Sequence, residues 1–270
     1  VSRIAARFAT LETEGRRALI PYLQACDPDF ETSLTLLKGM PEAGADLIEI
    51  GVPFSDPSAD GPTIQAAALR GLAAGSTMGR VLEMVRRFRE GDTETPIVLM
   101  GYLNPIDSYG VARFCSDAAS AGVDGLIIVD LPPEEADLVA SDAAANGLDI
   151  IRLVAPNTPD ARMGKVLSGA SGFVYYVSIT GITGTRTASE PELAAAIPRI
   201  RAVSDLPVAI GFGISTPEQA ALAARTGNGA VVASALIKTL AGTLRDGRAT
   251  AETVPSVLAQ LRALAAAVRA

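Results

Sequence analysis

Eight short apolar runs, at residues 19–24, 46–50, 96–100, 125–129, 149–154, 173–177, 207–211 and 229–233, recur along the chain. Ala- and Leu-rich stretches with helical spacing separate them. Each run is apolar on largely consecutive positions, as a strand covered on both faces should be, and strands that alternate with helices build a parallel sheet. Eight such units can close on themselves. An open doubly wound sheet is the alternative, yet no G-x-G-x-x-G follows the first run. The pattern therefore predicts an α/β chain folded as a single (β/α)8 TIM barrel, with residues 1–270 forming one domain.

Helix signals fit that frame. Asp29 precedes a predicted helix over 30–43, and Thr216-Pro217-Glu218 opens another with a cap and a proline in its first turn. Gly122 and Gly147 stand where helices should stop. Extra helices are expected at the N-terminus up to about residue 14, over 78–90 after the second strand, and over 252–268 at the C-terminus. No linker or low-complexity segment divides the chain.

With 49% hydrophobic and 20% charged residues, the chain can bury a large core. A net charge of −7 would repel a phosphodiester backbone, so nucleic acid is not an expected partner. The two cysteines, Cys26 and Cys115, lie far apart without metal-ligand spacing and read as reduced, cytosolic and structural. No signal-peptide core is visible and no stretch is apolar for the roughly 18 residues of a membrane span, so a soluble cytoplasmic protein is expected. The chain has no histidine, which removes Ser-His-Asp and Cys-His nucleophilic machinery and the usual zinc and non-haem iron sites. Acid-base chemistry is left to carboxylates, Tyr, Lys or Cys.

The second run carries the sharpest feature. Glu49 stands between Ile48 and Ile50 in a strand that should be buried, and an unpaired carboxyl there would have a raised pKa suited to proton transfer. A Glu satisfied by a backbone donor or an ion pair reads equally well. Asp60 precedes Gly61-Pro62, which is natural for a helix cap and also compatible with catalysis. The intervening loop holds Pro53, Ser55, Asp56, Pro57 and Ser58, and its prolines could position Asp60 across from Glu49.

A second cluster lies after the last three runs: a small-residue loop from Ser178 to Arg186, Gly211-Phe212-Gly213, and Ala233-Ser234-Ala235 opening a helix. Glycines let the backbone approach an anion, and helix starts offer it free N–H groups, so these clusters suit phosphate as well as plain tight turns. Of three lysines, Lys38, Lys165 and Lys238, none falls at a strand C-terminal end, which disfavours a Schiff-base aldolase.

At these residues the sequence resembles the tryptophan synthase α family essentially end to end. The segments that carry the resemblance are 48–65, with its E-x-G-x-P-F-S-D-P-x-A-D-G-P string, 101–106, 124–132, 175–184, 211–215 and 234–236. The resemblance implies retro-aldol cleavage of indole-3-glycerol phosphate to indole and glyceraldehyde 3-phosphate, with Glu49 and Asp60 as the catalytic pair and no metal or organic cofactor. It places Tyr22, Ile64, Met100, Tyr102, Ile127, Tyr175, Thr183 and Phe212 around the substrate, although barrel packing alone would also explain the apolar members. It gives Gly184, Gly213, Ala233 and Ser234 to the phosphate. It further implies a pyridoxal-phosphate β subunit in an α2β2 assembly, docked through Pro53, Asp56, Asn104, Pro105, Pro132 and the 178–187 loop, to which indole passes internally.

Three positions depart from the family's usual residues. Ala233 stands where Gly is usual, keeping the N–H donor provided φ stays negative. Tyr22 stands for Phe and adds a hydroxyl that needs a partner. Met100 stands for Leu at similar volume. The alternatives are a catalytically weak α-like subunit that binds and activates a β partner, a sugar-phosphate isomerase on the same barrel, and a stand-alone indole producer.

Overall fold

The structure, a computed structural model, describes residues 2–178, 189–211 and 213–270. Helices α1 (Arg3–Thr13), α2 (Phe30–Gly39), α3 (Pro62–Ala73), α4 (Met78–Arg89), α5 (Leu103–Tyr109), α6 (Val111–Ala121), α7 (Asp137–Ala145), α8 (Asp160–Val166), α9 (Glu190–Arg201), α10 (Pro217–Thr226), α11 (Ser234–Thr243) and α12 (Thr253–Arg269) surround the sheet. The strands are β1 (Ala18–Gln24), β2 (Ile48–Gly51), β3 (Ile97–Gly101), β4 (Gly125–Ile128), β5 (Asp149–Ile150), β6 (Arg152–Val154), β7 (Val174–Val177), β8 (Val208–Gly211) and β9 (Gly229–Val232).

All strand pairs are parallel, in the order β5-β4-β3-β2-β1-β9-β8-β7-β6. The two ends of that order are one stretch of chain interrupted only at Ile151, whose N–H donates to Leu126 at 3.0 Å. The sheet thus closes as eight staves, the fifth made of β5 and β6, and the expected TIM barrel is the fold observed.

Alternation along each strand sorts the core into two shells. Ile20, Leu47, Val98, Ile127, Ile151, Phe173, Tyr175, Ala209 and Val231 point inward and form one cluster. Ile4, Phe8 and Leu11 of α1 join it, so the N-terminal helix plugs one end of the barrel, with the Phe8 and Phe173 rings 5.8 Å apart. The intervening residues, such as Ile48, Ile50, Leu99, Val174 and Ile210, face the helices in a larger outer cluster. Each large apolar side chain so buried contributes about 1.5–3 kcal/mol, which makes the two shells the main source of stability.

The expected helix starts are found: Asp29 accepts from the Thr32 N–H at 2.8 Å, and Thr216 forms a reciprocal cap with Gln219. Gly122 ends α6 at φ 97°. The helix expected over 30–43 stops at Gly39 instead, because Pro41 has no N–H for the Leu37 carbonyl, which accepts from Met40 at 3.3 Å. No helix among the described residues is long and apolar enough to cross a membrane.

Candidate active site at the strand C-terminal ends

In β2 the inward positions are Glu49 and Gly51, continuing from Leu47 just ahead of the strand, and Glu49 lies level with Tyr22 of β1 and Val98 of β3. Its side chain is fully buried, and neither carboxylate oxygen has a hydrogen-bond partner among the described residues. Without a counter-charge, burial alone pushes the Glu49 carboxyl up to about 8. Such a group holds a proton at neutral pH and can release it to a stronger base. Among the described residues, no backbone donor or ion pair satisfies this side chain.

Asp60 is half-buried in the loop between β2 and α3. The helix that follows begins at Pro62 with Gly61 as its cap residue and no side-chain capping bond, so the Asp60 carboxylate is not used to start α3. Burial raises its pKa, and hydrogen bonding to the Tyr102 hydroxyl draws it back. That hydroxyl also accepts from the Ala59 N–H at 3.2 Å, and the Tyr102 ring leans on Phe54 with centroids 5.6 Å apart. The loop is thereby held against the end of β3. Asp130, after β4, accepts from the Leu103 N–H at 2.7 Å and fixes the turn that presents Tyr102.

Two buried tyrosines flank Glu49. The Tyr22 hydroxyl is held well above its ordinary pKa by burial first, then by Asp60, Glu49, Tyr102 and Tyr175. Tyr175 is raised by burial and then by Glu49. Both rings need glycine on the next strand. A Cβ on Gly51 would stand 1.8 Å from the Tyr22 oxygen, and one on Gly211 would stand 2.2 Å from that of Tyr175. The extra hydroxyl at position 22 has its partner in Gln24, whose side-chain oxygen accepts from it at 2.5 Å.

Of the expected substrate contacts, Tyr22, Ile64 and Met100 meet in one apolar cluster with Ala67, Ile237 and Ala233. Tyr102 stands by Asp60 and Tyr175 by Glu49. Ile127 is fully buried in the barrel interior, where Met100 also reaches. Thr183, Gly184 and Phe212, and residues 179–187 of the expected 178–187 loop, lie outside the described residues.

At the expected phosphate site Gly213 has φ 73°, a conformation that favours glycine. Ala233 has φ −117°, so the alanine there introduces no left-handed strain. It precedes α11 without a side-chain cap, and the Leu236 and Ile237 N–H groups turn back to its carbonyl. The first N–H groups of α11, at Ser234 and Ala235, have no acceptor inside the helix and suit an anion.

Among the expected partner contacts, Asp56, Asn104 and Pro132 are exposed and Pro105 is half-buried, whereas Pro53 is buried. A Cβ on Gly71 of α3 would come within 3.1 Å of the Pro53 ring, which accounts for that burial. Gln24 and Gly51 are site residues that the sequence reading did not single out, and Gly211, read only as backbone able to approach an anion, is also the room for the Tyr175 ring. The signal for Gln24 was a polar side chain two positions after Tyr22 on the same face of an apolar strand.

Comparison with known proteins adds an independent line. The family model described as tryptophan synthase alpha chain matches residues 8–268. Tryptophan synthase alpha chains of Gluconacetobacter diazotrophicus and Gluconobacter oxydans are each 73% identical over 270 residues, covering 100% of this chain and 98% and 100% of theirs. The crystal structure of tryptophan synthase subunit alpha from Legionella pneumophila superposes with a TM-score of 0.91 at 41% identity, covering 99% of this chain and 98% of that one. A chain of Mycobacterium tuberculosis tryptophan synthase gives 0.89 at 36% identity, covering 100% and 99%.

Proposed function

Because the chain belongs to the tryptophan synthase α family and is thus a lyase that cleaves indole-3-glycerol phosphate, we propose that Glu49 and Asp60 perform the cleavage. The reaction is a retro-aldol step. Protonated Glu49 gives its proton to C3 of the indole, and the ring nitrogen then carries positive charge. Ionised Asp60 accepts a hydrogen bond from N1–H and stabilises that charge. Glu49, now ionised, takes the proton of the glycerol 3′-hydroxyl. The C3–C3′ bond breaks, its electron pair returns to the ring, and glyceraldehyde 3-phosphate and indole leave with Glu49 protonated again.

The observation that carries this reading is a fully buried carboxyl, unpartnered among the described residues and level with Tyr22, whose hydroxyl also feels Asp60, an aspartate released from helix capping. Tyr22, Ile64, Met100, Tyr102, Ile127, Tyr175, Thr183 and Phe212 surround the indole in this reading. Gly184, Gly213, Ala233 and Ser234 take the phosphate through backbone amides, and the negative φ at Ala233 supports that role. The altered segment at Ala233 therefore gives little support to a catalytically weak subunit.

The family implies a β-subunit partner. We place its contact at Asp56, Asn104, Pro105, Pro132 and the 178–187 loop, with Pro53 bracing the loop from beneath, in a cytoplasmic α2β2 assembly whose α chain acts as one domain over 1–270. The test is indole release from indole-3-glycerol phosphate by purified chain, with and without β subunit, against Glu49→Gln. Release by wild type and its loss in the variant are expected; equal silence of both in the presence of β subunit would overturn the assignment.

A further inference from the structure

Tyr22 and Gln24 occupy successive inward positions of β1, level with Glu49 and Gly51 of β2. Both are buried, at 6% and 2% exposure. The Tyr22 hydroxyl donates to the Gln24 side-chain oxygen at 2.5 Å, and both atoms lie directly over Gly51, where a Cβ would meet them at 1.8 Å and 2.6 Å. The missing side chain of Gly51 is the room the pair occupies.

A phenol has one proton to donate. Around the Tyr22 hydroxyl stand Glu49 from β2, Asp60 from the β2–α3 loop, Tyr102 from the end of β3 and Tyr175 from β7. An ionised carboxylate, Asp60 or Glu49 once it has lost its proton, would be a stronger acceptor than a neutral amide. Yet the Glu49 oxygens have no partner among the described residues: the Tyr22 hydroxyl, held on Gln24, is not placed to hydrogen-bond to them. Of the remaining neighbours, Ile64, Ala67, Ile237 and Ala233 bring no acceptor side chain and Met100 only a weak one, its thioether sulfur.

We propose that Gln24 is a positioning residue: it holds the Tyr22 hydroxyl proton away from Glu49, so that Glu49 remains the unpartnered proton carrier of the cleavage. This rests on the reading of Glu49 given above. In Gln24→Leu the hydroxyl loses the acceptor that fixes it and is free to move toward Glu49, where a hydrogen bond to the charged form favours ionisation. The alkaline limb of the pH–rate profile for indole release, which reports loss of the Glu49 proton, then moves to lower pH by about one unit.

The experiment records that profile for the full chain in four forms: wild type, Gln24→Leu, Gln24→Leu with Tyr22→Phe, and Glu49→Gln. The expected result is a downward shift in Gln24→Leu that returns to the wild-type position when the hydroxyl is also removed. A limb that does not move in Gln24→Leu, or that moves equally with Tyr22→Phe present, overturns the proposal. Should Gln24→Leu fail to fold by circular dichroism, Gln24→Asn, which withdraws the acceptor by one methylene, carries the same expectation. Wild-type activity in Glu49→Gln would remove the catalytic reading itself, whereas a silent Glu49→Gln with an unmoved limb removes only the role of Gln24.

Discussion

The buried acids Asp46 and Asp124, where strands begin, and Glu49, toward the end where strands finish, are treated in opposite ways. At the rim where strands begin, Asp46 accepts from the Leu19 N–H at 2.9 Å and meets Arg16 at 3.2 Å. Asp124 accepts from the Ile97 N–H and from Arg89 and Arg3, each at 2.8 Å. Ser171 and Asn228 repeat the device without charge, accepting from the Ile150 and Val208 N–H groups at 2.9 Å. In each case a polar residue just ahead of one strand holds an N–H of its neighbour. At the rim where strands end, Asp27 is paired with Arg70 at 2.6 Å, whereas Glu49 is equally buried and has no hydrogen-bond partner among the described residues. Burial raises the pKa of Asp46 too, but the Leu19 N–H and Arg16 draw it back, and Glu49 has no such restraint. What separates a structural carboxylate from a chemical one here is the partner, since depth is shared.

The largest expected effect tests that contrast directly. Glu49→Gln should lower indole release by about 10³-fold, because the proton donor is lost while shape is kept. The same change should stabilise the fold. An unfolded Glu ionises above its ordinary 4.5, while folded Glu49 stays protonated until about 8, so its contribution to stability is full below pH 4.5 and is lost as pH rises toward 8. Urea midpoints should therefore favour Glu49→Gln by a margin that grows between pH 5 and pH 8, to on the order of 3 kcal/mol. A margin constant with pH would mean that Glu49 is partnered after all.

At the other rim, Asp124→Ala should destabilise by about 3 kcal/mol in urea, since it strands the largely buried Arg89 and the Ile97 N–H. Activity per folded molecule should stay within a factor of about two of wild type, because the site is not touched. A large loss of activity without a loss of stability would break the division between the rims.

Next in size is Asp60→Ala, expected to cost about 10²-fold in kcat through loss of charge stabilisation at the indole nitrogen. Stability is the discriminating readout. If Asp60 served as a helix cap, its removal would cost about 1 kcal/mol. Since Gly61 occupies that position without a side-chain bond, the midpoint should hardly move.

How much of this could be read from the chain alone differs between backbone and side chains. The strands were legible because each is a compact apolar run buried on two faces; their edges moved by only one or two residues. The break at Ile151 was not, because residues 149–154 form one run and the ladder changes sides there, β5 pairing with β4 and β6 with β7. Glu49 stood out as a lone acid between isoleucines. The Tyr22–Gln24 bond, and the tyrosine rings over Gly51 and Gly211, depend on strand register, which no single run encodes. Pro53, read as a partner contact, is covered because Gly71 lets α3 come close, a long-range fact invisible in the loop itself.

The smallest expected effect asks whether the rims are energetically separate. Asn228→Ala removes the acceptor for the Val208 N–H at the start of β8 and should cost about 1 kcal/mol, the price of one unsatisfied buried donor. The same strand ends in Gly211, under the Tyr175 ring beside Glu49, so any strain transmitted along β8 would reach the site. Stiff strands with independent ends predict no transmission. In the double variant with Glu49→Gln the two stability changes should then sum to within about 0.5 kcal/mol, and kcat/KM of Asn228→Ala alone should match wild type. A coupling larger than that would show that the stabilising rim tunes the catalytic one through β8, and the contrast between them would have to be redrawn as a gradient along each strand.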